Sequence, residues 1–287
     1  HFDLWVAPST GGMVYEFDLR GQRHNILATL DRRPEAYHDQ VRAGPGKARS
    51  IIDSSQQATF KHEGLSEKLL YDNTRRKSLI DHFFDVDASS AAIISGEAME
   101  RGDFATGAYE ASIRRNPDRM QVLLSRTGNV WGIPFTLSKA ITLSAGSNTV
   151  EIGYKLEDLP ADFCQHLAVE FNFAGLPAQA KGRCFKDNNG LNLGHLGTHL
   201  DLKETSLVSL EDDWLDIRVS LECGVASNGG HAGFWTYPIE SVSQSEDGFE
   251  LIHQSVVVMP HWIVTPDANG CWDVLIKVSV ADHINTP

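Results

Sequence analysis

Period-two alternation of apolar and polar residues recurs along this chain and constrains its fold more than any other feature. Ile141 and Leu143 lead into the turn Ala145-Gly146-Ser147-Asn148, after which Val150, Ile152, Tyr154 and Leu156 alternate with Glu151, Gly153 and Lys155. Successive side chains of a strand point to opposite faces, so this spacing describes a hairpin with one wet face. Ile217, Val219, Leu221 and Cys223 repeat the pattern, as do Val274, Ile276, Val278 and Val280. Strands separated by turns, with few long helical patterns, predict an all-β fold of about a dozen or more strands. That many strands suits a large antiparallel two-sheet sandwich better than an immunoglobulin-sized one.

The 287 residues, 41% of them hydrophobic, allow a sizeable core, and we expect one sandwich domain over 1–287. No apolar run approaches the roughly 20 residues of a membrane span. A net charge of −13 argues against a nucleic-acid partner, which requires a basic face. His1-Phe2-Asp3-Leu4-Trp5 reads as mid-protein sequence, which suggests a piece of a longer chain. Cys164, Cys184, Cys223 and Cys271 are scattered without a CxxC pair, and no Asn-x-Ser/Thr acceptor occurs. Both observations lean towards reduced thiols and a cytoplasmic location.

One region departs from the strand pattern. Residues 32–85 are charged and irregular, and Glu63–Phe84 holds Leu65, Leu69 and Leu70 at a helical spacing. We read it as a short helical insertion near 60–84. Lys181–Leu200 is rich in Gly and Asn and reads as a long loop.

Few residues form a chemical motif. His195 and His199 are four apart, but Gly194 and Gly197 disfavour the helix a metal pair would need, so no metal or other cofactor is expected. Glu211-Asp212-Asp213 reads as a wet turn, without the ligand spacing of a calcium loop. Gly11-Gly12 reads as a tight turn before Met13-Val14-Tyr15. In HLAVEFNFA (166–174), Leu167, Val169, Phe171 and Phe173 make a core face. The opposite face carries His166, Glu170 and Asn172 with alanines between them: either a solvated sheet face or a groove that admits a ring. Arg32, Arg33, Glu35 and His38 form a dense polar cluster, read either as an ion-pair network or as a surface for a partner or anion.

Several of these stretches, in order, resemble a known family: GGMVYEFD (11–18), RRPEAYH (32–38), DHFF (81–84), GDF (102–104), VEFNF (169–173) and YPIESVSQSEDGFELIHQSV (237–256). Together they are similar to the C-terminal β-sandwich domain of family 57 glycoside hydrolases, the α-amylase and 4-α-glucanotransferase group. The likeness runs from near residue 11 to near residue 280, and SQSEDGF followed by HQSV is its most specific part. It implies a galactose mutarotase-like supersandwich. It also implies a parent enzyme acting on α-1,4-glucans, whose catalytic Glu and Asp sit on an α/β barrel of the same polypeptide. None of the matched stretches holds that pair, so no catalytic residue is assigned.

The leading expectation is therefore a non-catalytic domain that packs on the barrel and contacts an α-glucan. Glu170, Asn172, Gln244, Glu246 and Gln254 are the polar candidates for sugar contact, and Trp235 and Trp262 the aromatic ones. Arg32, Arg33, Glu35 and His38 are the candidates for the barrel interface. One alternative is a free-standing mutarotase-like isomerase using His166 and Glu170, which a strand separates by about 13 Å. The other is a purely structural module.

Overall fold

The computed structural model describes residues 1–49, 57–175 and 178–282; part of the 32–85 insertion, residues 50–56, lies outside them. Strands are numbered along the chain. A nine-stranded antiparallel sheet runs β11 (Asn192–Gly194), β10 (Arg183–Asp187), β13 (Leu207–Asp212), β14 (Ile217–Cys223), β17 (Trp272–Asp282), β8 (Thr149–Glu157), β7 (Ile133–Ser144), β6 (Arg119–Val130), β5 (Glu110–Asn116). A five-stranded sheet runs β12 (Leu200–Leu202), β15 (Gly233–Ser245), β16 (Gly248–Val264), β9 (Gln165–Ala174), β4 (Ile80–Phe84). The two pack face to face: Ile152, Leu156, Leu221 and Ile276 of the larger share one buried core with Leu167, Val169, Phe171, Val256 and Val258 of the smaller. This is the expected all-β sandwich, and the hairpin predicted across Ala145–Asn148 is β7–β8, with Ile141 opposite Ile152.

A third sheet, absent from the two-sheet expectation, joins β1 (Phe2–Ala7), β2 (Met13–Leu19) and β3 (His24–Asn25). It continues into the smaller layer: Val14 and Ser78 exchange backbone hydrogen bonds, and the Ala174 N–H donates to the Ile26 carbonyl. The turn before β2 needs Gly11 and Gly12, which have φ of +63° and +54°. A Cβ on Gly11 would sit 2.3 Å from the Ala105 carbonyl oxygen.

Three local expectations need correction or narrowing. The short helical insertion expected near 60–84 is present only in part. It contains one 3-10 turn, Leu65–Lys68, and its end is β4, because Ile80–Phe84 takes up the free edge of β9. Among the described residues the α-helices are α1 (His38–Ala43) and α2 (Ser90–Ser95). Lys181–Leu200 is not one long loop, since β10 and β11 pair within it. Glu211 and Asp212 do not form a wet turn: they end β13, where Arg218 holds Glu211 at 2.6 Å and Arg183 holds Asp212 at 2.8 Å. Among the described residues no helix is long and apolar enough to cross a membrane.

Candidate functional site

Strand β9 is buried on both faces from His166 to Phe173, so its polar face is neither solvated nor lined only by small residues. It is covered by the segment 71–77, which reaches Glu170 and Asn172, and by α2, whose Ile93 and Ile94 pack against the cluster that holds Ala168. A cavity of about 300 Å³ opens on this outer face, lined by Glu170 of β9, His82 and Phe84 of β4, Tyr237 and Glu240 of β15, and Met259 of β16. Arg32, Asp72 and Arg76 close one side, and Ile93, Ile94 and Ser95 of α2 the other.

Pairing register brings the charges together. Ile80 lies opposite Glu170 and His82 opposite Ala168, so His82 and Glu170 share the outer face diagonally. Glu170 Oε1 accepts from Arg76 Nη1 at 2.9 Å, and Oε2 lies 3.3 Å from His82 Nε2. His82 Nδ1 meets Glu100 Oε2 at 2.7 Å. Asp72 Oδ1 accepts from Arg76 at 2.8 Å and from Arg32 at 2.7 Å. The result is a chain of alternating charge: Arg32, Asp72, Arg76, Glu170, His82, Glu100.

The electrostatics follow from that order. Burial alone would raise the Glu170 carboxyl, but Arg76 and His82 outweigh it and hold it at about 2. Burial likewise opposes charge on His82, yet hydrogen bonds to Glu100 and Glu170 raise it to about 10. Burial also opposes the Arg76 charge, and Glu170 and Asp72 more than restore it. Tyr237, buried beside Glu170, is pushed up.

A second cluster lies further along the same face. His166 Nε2 and His261 Nδ1 are 2.8 Å apart, and His261 stacks on Trp235 with ring centroids at 3.8 Å. Trp235 Nε1 donates to Asp201. Burial depresses His166 to about 4 and His261 to about 3, so both rings are neutral near pH 7.

The residues expected from the sequence divide among several places. Glu170 lies in the cavity. Asn172 lies beneath it, wholly buried, its amide donating to the Lys77 carbonyl and to Glu170. Trp235 is buried under His261 and does not line the cavity. Trp262 sits in the core between the sheets, edge-on to Trp272, which rules it out as a groove aromatic. Gln244 and the exposed Glu246 are at the tip of the β15–β16 hairpin, away from the cavity. Gln254 donates to Ser241 and lines a separate cavity of about 220 Å³ with Arg32, Arg33, Glu35 and His38. The structure thus unites Gln254 with the four residues expected at the barrel interface. Arg33 and Glu35 are exposed there, whereas Arg32 pairs with Asp72 and His38 is buried against Tyr71.

Sequence reasoning missed Asp72, Arg76, His82, Glu100 and Tyr237. DHFF and YPIES were noticed as family-like stretches, but nothing local in them says that His82 and Tyr237 face one cavity.

The sequence matches the family described as alpha-amylase/4-alpha-glucanotransferase, C-terminal, over residues 1–276. It is 25% identical over 284 residues to Alpha-amylase 1 of Dictyoglomus thermophilum, covering 96% of this chain and 38% of that protein. The fold superposes on the crystal structure of 4-alpha-glucanotransferase from Thermococcus litoralis with a TM-score of 0.71 at 21% identity, covering 98% of this chain and 38% of that one. It superposes on an aldose 1-epimerase candidate of Escherichia coli K12 with a TM-score of 0.52 at 11% identity, covering 98% and 96% of the two chains. The chain spans little more than a third of the amylase and glucanotransferase relatives, with a sandwich of the mutarotase-like kind. This chain therefore belongs to the alpha-amylase/4-alpha-glucanotransferase C-terminal domain family.

Proposed function

We propose that residues 1–287 form one non-catalytic sandwich domain of an enzyme acting on α-1,4-glucans. Its outer-sheet cavity holds carbohydrate, and the surface around Arg33, Glu35 and Gln254 meets the catalytic barrel of the same polypeptide. A cytoplasmic location goes with this reading, as do the four free cysteines.

The alternating charge chain from Arg32 to Glu100 carries the proposal. A general acid or base needs a pKa near the working pH. Glu170 at about 2 and His82 at about 10 lie far to either side of neutrality. Ionised and mutually neutralised, the same groups are fixed donors and acceptors suited to an uncharged polyol. An anionic ligand would meet as many carboxylates as cations. Phe84, Ile93, Ile94 and Met259 supply an apolar wall for the ring faces of a sugar.

The isomerase alternative is disfavoured by the same geometry. His166 is bonded to His261 and Glu170 to Arg76, so neither is directed at a shared anomeric carbon.

Isothermal titration with maltoheptaose tests the proposal. The wild-type chain is expected to bind, and Ser95→Trp, which plugs the cavity from the exposed end of α2, is expected to lose binding. The chain alone is expected to release no reducing sugar from soluble starch and to leave anomer exchange unchanged by NMR. Turnover in either assay overturns the non-catalytic reading.

A further inference from the structure

Trp131 occupies a backbone position that disfavours it. With Gly132 it forms the two-residue turn between β6 and β7, where Val130 pairs with Ile133. Both turn residues have positive φ, +56° and +77°. Such turns favour Asn-Gly, and a bulky aromatic in this region is an outlier.

Burial does not compensate, because Trp131 is 57% exposed. The ring is nevertheless held firmly. The Arg101 guanidinium carbon lies 4.2 Å from the ring centroid, and the indole N–H donates to Asp85 Oδ1 at 3.2 Å. Arg101 is itself fixed by a fork onto Asp85, at 2.6 Å for the shorter bond, and its backbone N–H donates to the Phe83 carbonyl. A strained, exposed, braced aromatic is an arrangement for which function is the natural cause.

An indole more than half open to solvent, with a guanidinium over one face and a carboxylate at its N–H edge, has the parts that recognise a pyranose. The ring meets the apolar sugar face while the ion pair bonds its hydroxyls. Phe84 and Glu100, chain neighbours of Asp85 and Arg101, line the cavity, so the platform adjoins its β4 rim. We propose that Trp131 is a stacking platform for a glucosyl unit of an α-glucan, extending the cavity past β4. This rests on the reading that the cavity holds α-glucan. The flanking Met99 and Val86, 63% and 45% exposed, make protein docking the competing use of the patch.

The test is titration of the chain with maltoheptaose alongside thermal unfolding, for wild type, Trp131→Asn, Ser95→Trp and, as a control, Trp214→Ala. Asn suits the turn, so Trp131→Asn is expected to raise Tm while weakening affinity about tenfold. A merely structural tryptophan would not give that opposed pair of changes. Trp214, 72% exposed, is expected to be dispensable. Wild-type affinity in Trp131→Asn, with binding lost in Ser95→Trp, overturns the platform, leaves the cavity reading intact and assigns the patch to protein contact. Weakened binding in Trp131→Asn with full binding in Ser95→Trp supports the platform and overturns the cavity reading. No binding by the wild-type chain overturns both.

Discussion

Lys139 Nζ lies 2.8 Å from Asp81 Oδ2, and neither side chain has any exposed surface. Lys139 belongs to β7 of the nine-stranded sheet and Asp81 to β4 of the five-stranded one, so the pair bridges the sandwich. The remaining Nζ protons go to the carbonyls of Gly11 and Leu79, both at 2.9 Å. Tyr109 and Tyr154 donate to the carboxylate at 2.7 and 2.6 Å. The cluster also fastens the Gly11-Gly12 turn, and through it the small β1–β3 sheet, to both large sheets.

A buried ion pair is a poor stabiliser against apolar packing but costly to break, because the surviving charge has no water. Asp81→Asn is therefore expected to cost about 3–5 kcal/mol in urea-monitored unfolding. Asp81→Asn combined with Lys139→Met is expected to cost less than Asp81→Asn alone. A double variant as unstable as the sum of the two single changes would show that the two groups are not coupled.

Stability should peak near pH 7, with limbs of different origin. His166 and His261 are depressed to about 4 and about 3, so the unfolded chain takes up their protons first. Their contribution is complete above the ordinary histidine value of about 6.5 and is lost as pH falls below it. Glu170, held at about 2, adds a further loss as pH falls below the ordinary carboxylate value. His82 acts oppositely: raised to about 10, it contributes fully below about 6.5, and its contribution fades as pH rises through 10. Tm measured from pH 4 to pH 10 is expected to form a dome. His82→Gln is expected to lower the whole curve and flatten its alkaline limb.

The sandwich was legible because alternation survives wherever one sheet face meets solvent. Val150, Ile152, Tyr154 and Leu156 announce β8 for that reason, and the same periodicity located β14 and β17. Alternation misled at β9, where His166, Glu170 and Asn172 look like a wet face yet are buried by other parts of the chain. Their partners stand 94 residues away for Arg76 with Glu170, and 95 for His261 with His166. No local pattern records such pairings. Leu65, Leu69 and Leu70 suggested a helix, and the chain forms only the short 3-10 stretch Leu65–Lys68 there, with Leu65 and Leu69 packed against Val41, Val242 and Phe249. Trp131 escaped notice because nothing in the sequence reveals a braced ring.

The family-like stretch SQSEDGF has a packing role that predicts a sharp sensitivity. The turn Glu246-Asp247 closes the β15–β16 hairpin, and Gly248 follows it with φ of +120°. A Cβ there would lie 2.1 Å from the Thr59 carbonyl oxygen, whose partner is the Phe249 N–H. Phe249 is wholly buried with Val41, Leu65 and Val242. Gly248→Ala is therefore expected to cost about 2 kcal/mol or more, through strain and the lost Thr59 contact. It should also expose the 57–69 segment to limited proteolysis. Wild-type protease resistance in this variant would mean that the hairpin tip does not hold that segment.

Glu170 is the point on which the cavity's charges depend. It accepts from Arg76 and Asn172 and lies 3.3 Å from His82 Nε2, and removing its charge leaves Arg76 balanced by Asp72 alone and His82 by Glu100 alone. Glu170→Gln keeps the shape, and it is expected to cost about 3 kcal/mol, the lower end for breaking a buried pair. The more specific consequence is electrostatic. His82 owes part of its elevation to Glu170, so its pKa should fall from about 10 towards the ordinary histidine range. NMR titration of the His82 ring reads that shift directly. The fall would bring a histidine in the cavity into play near neutrality, the condition the wild-type charge chain prevents. An unmoved His82 titration in Glu170→Gln would place the source of its charge entirely with Glu100.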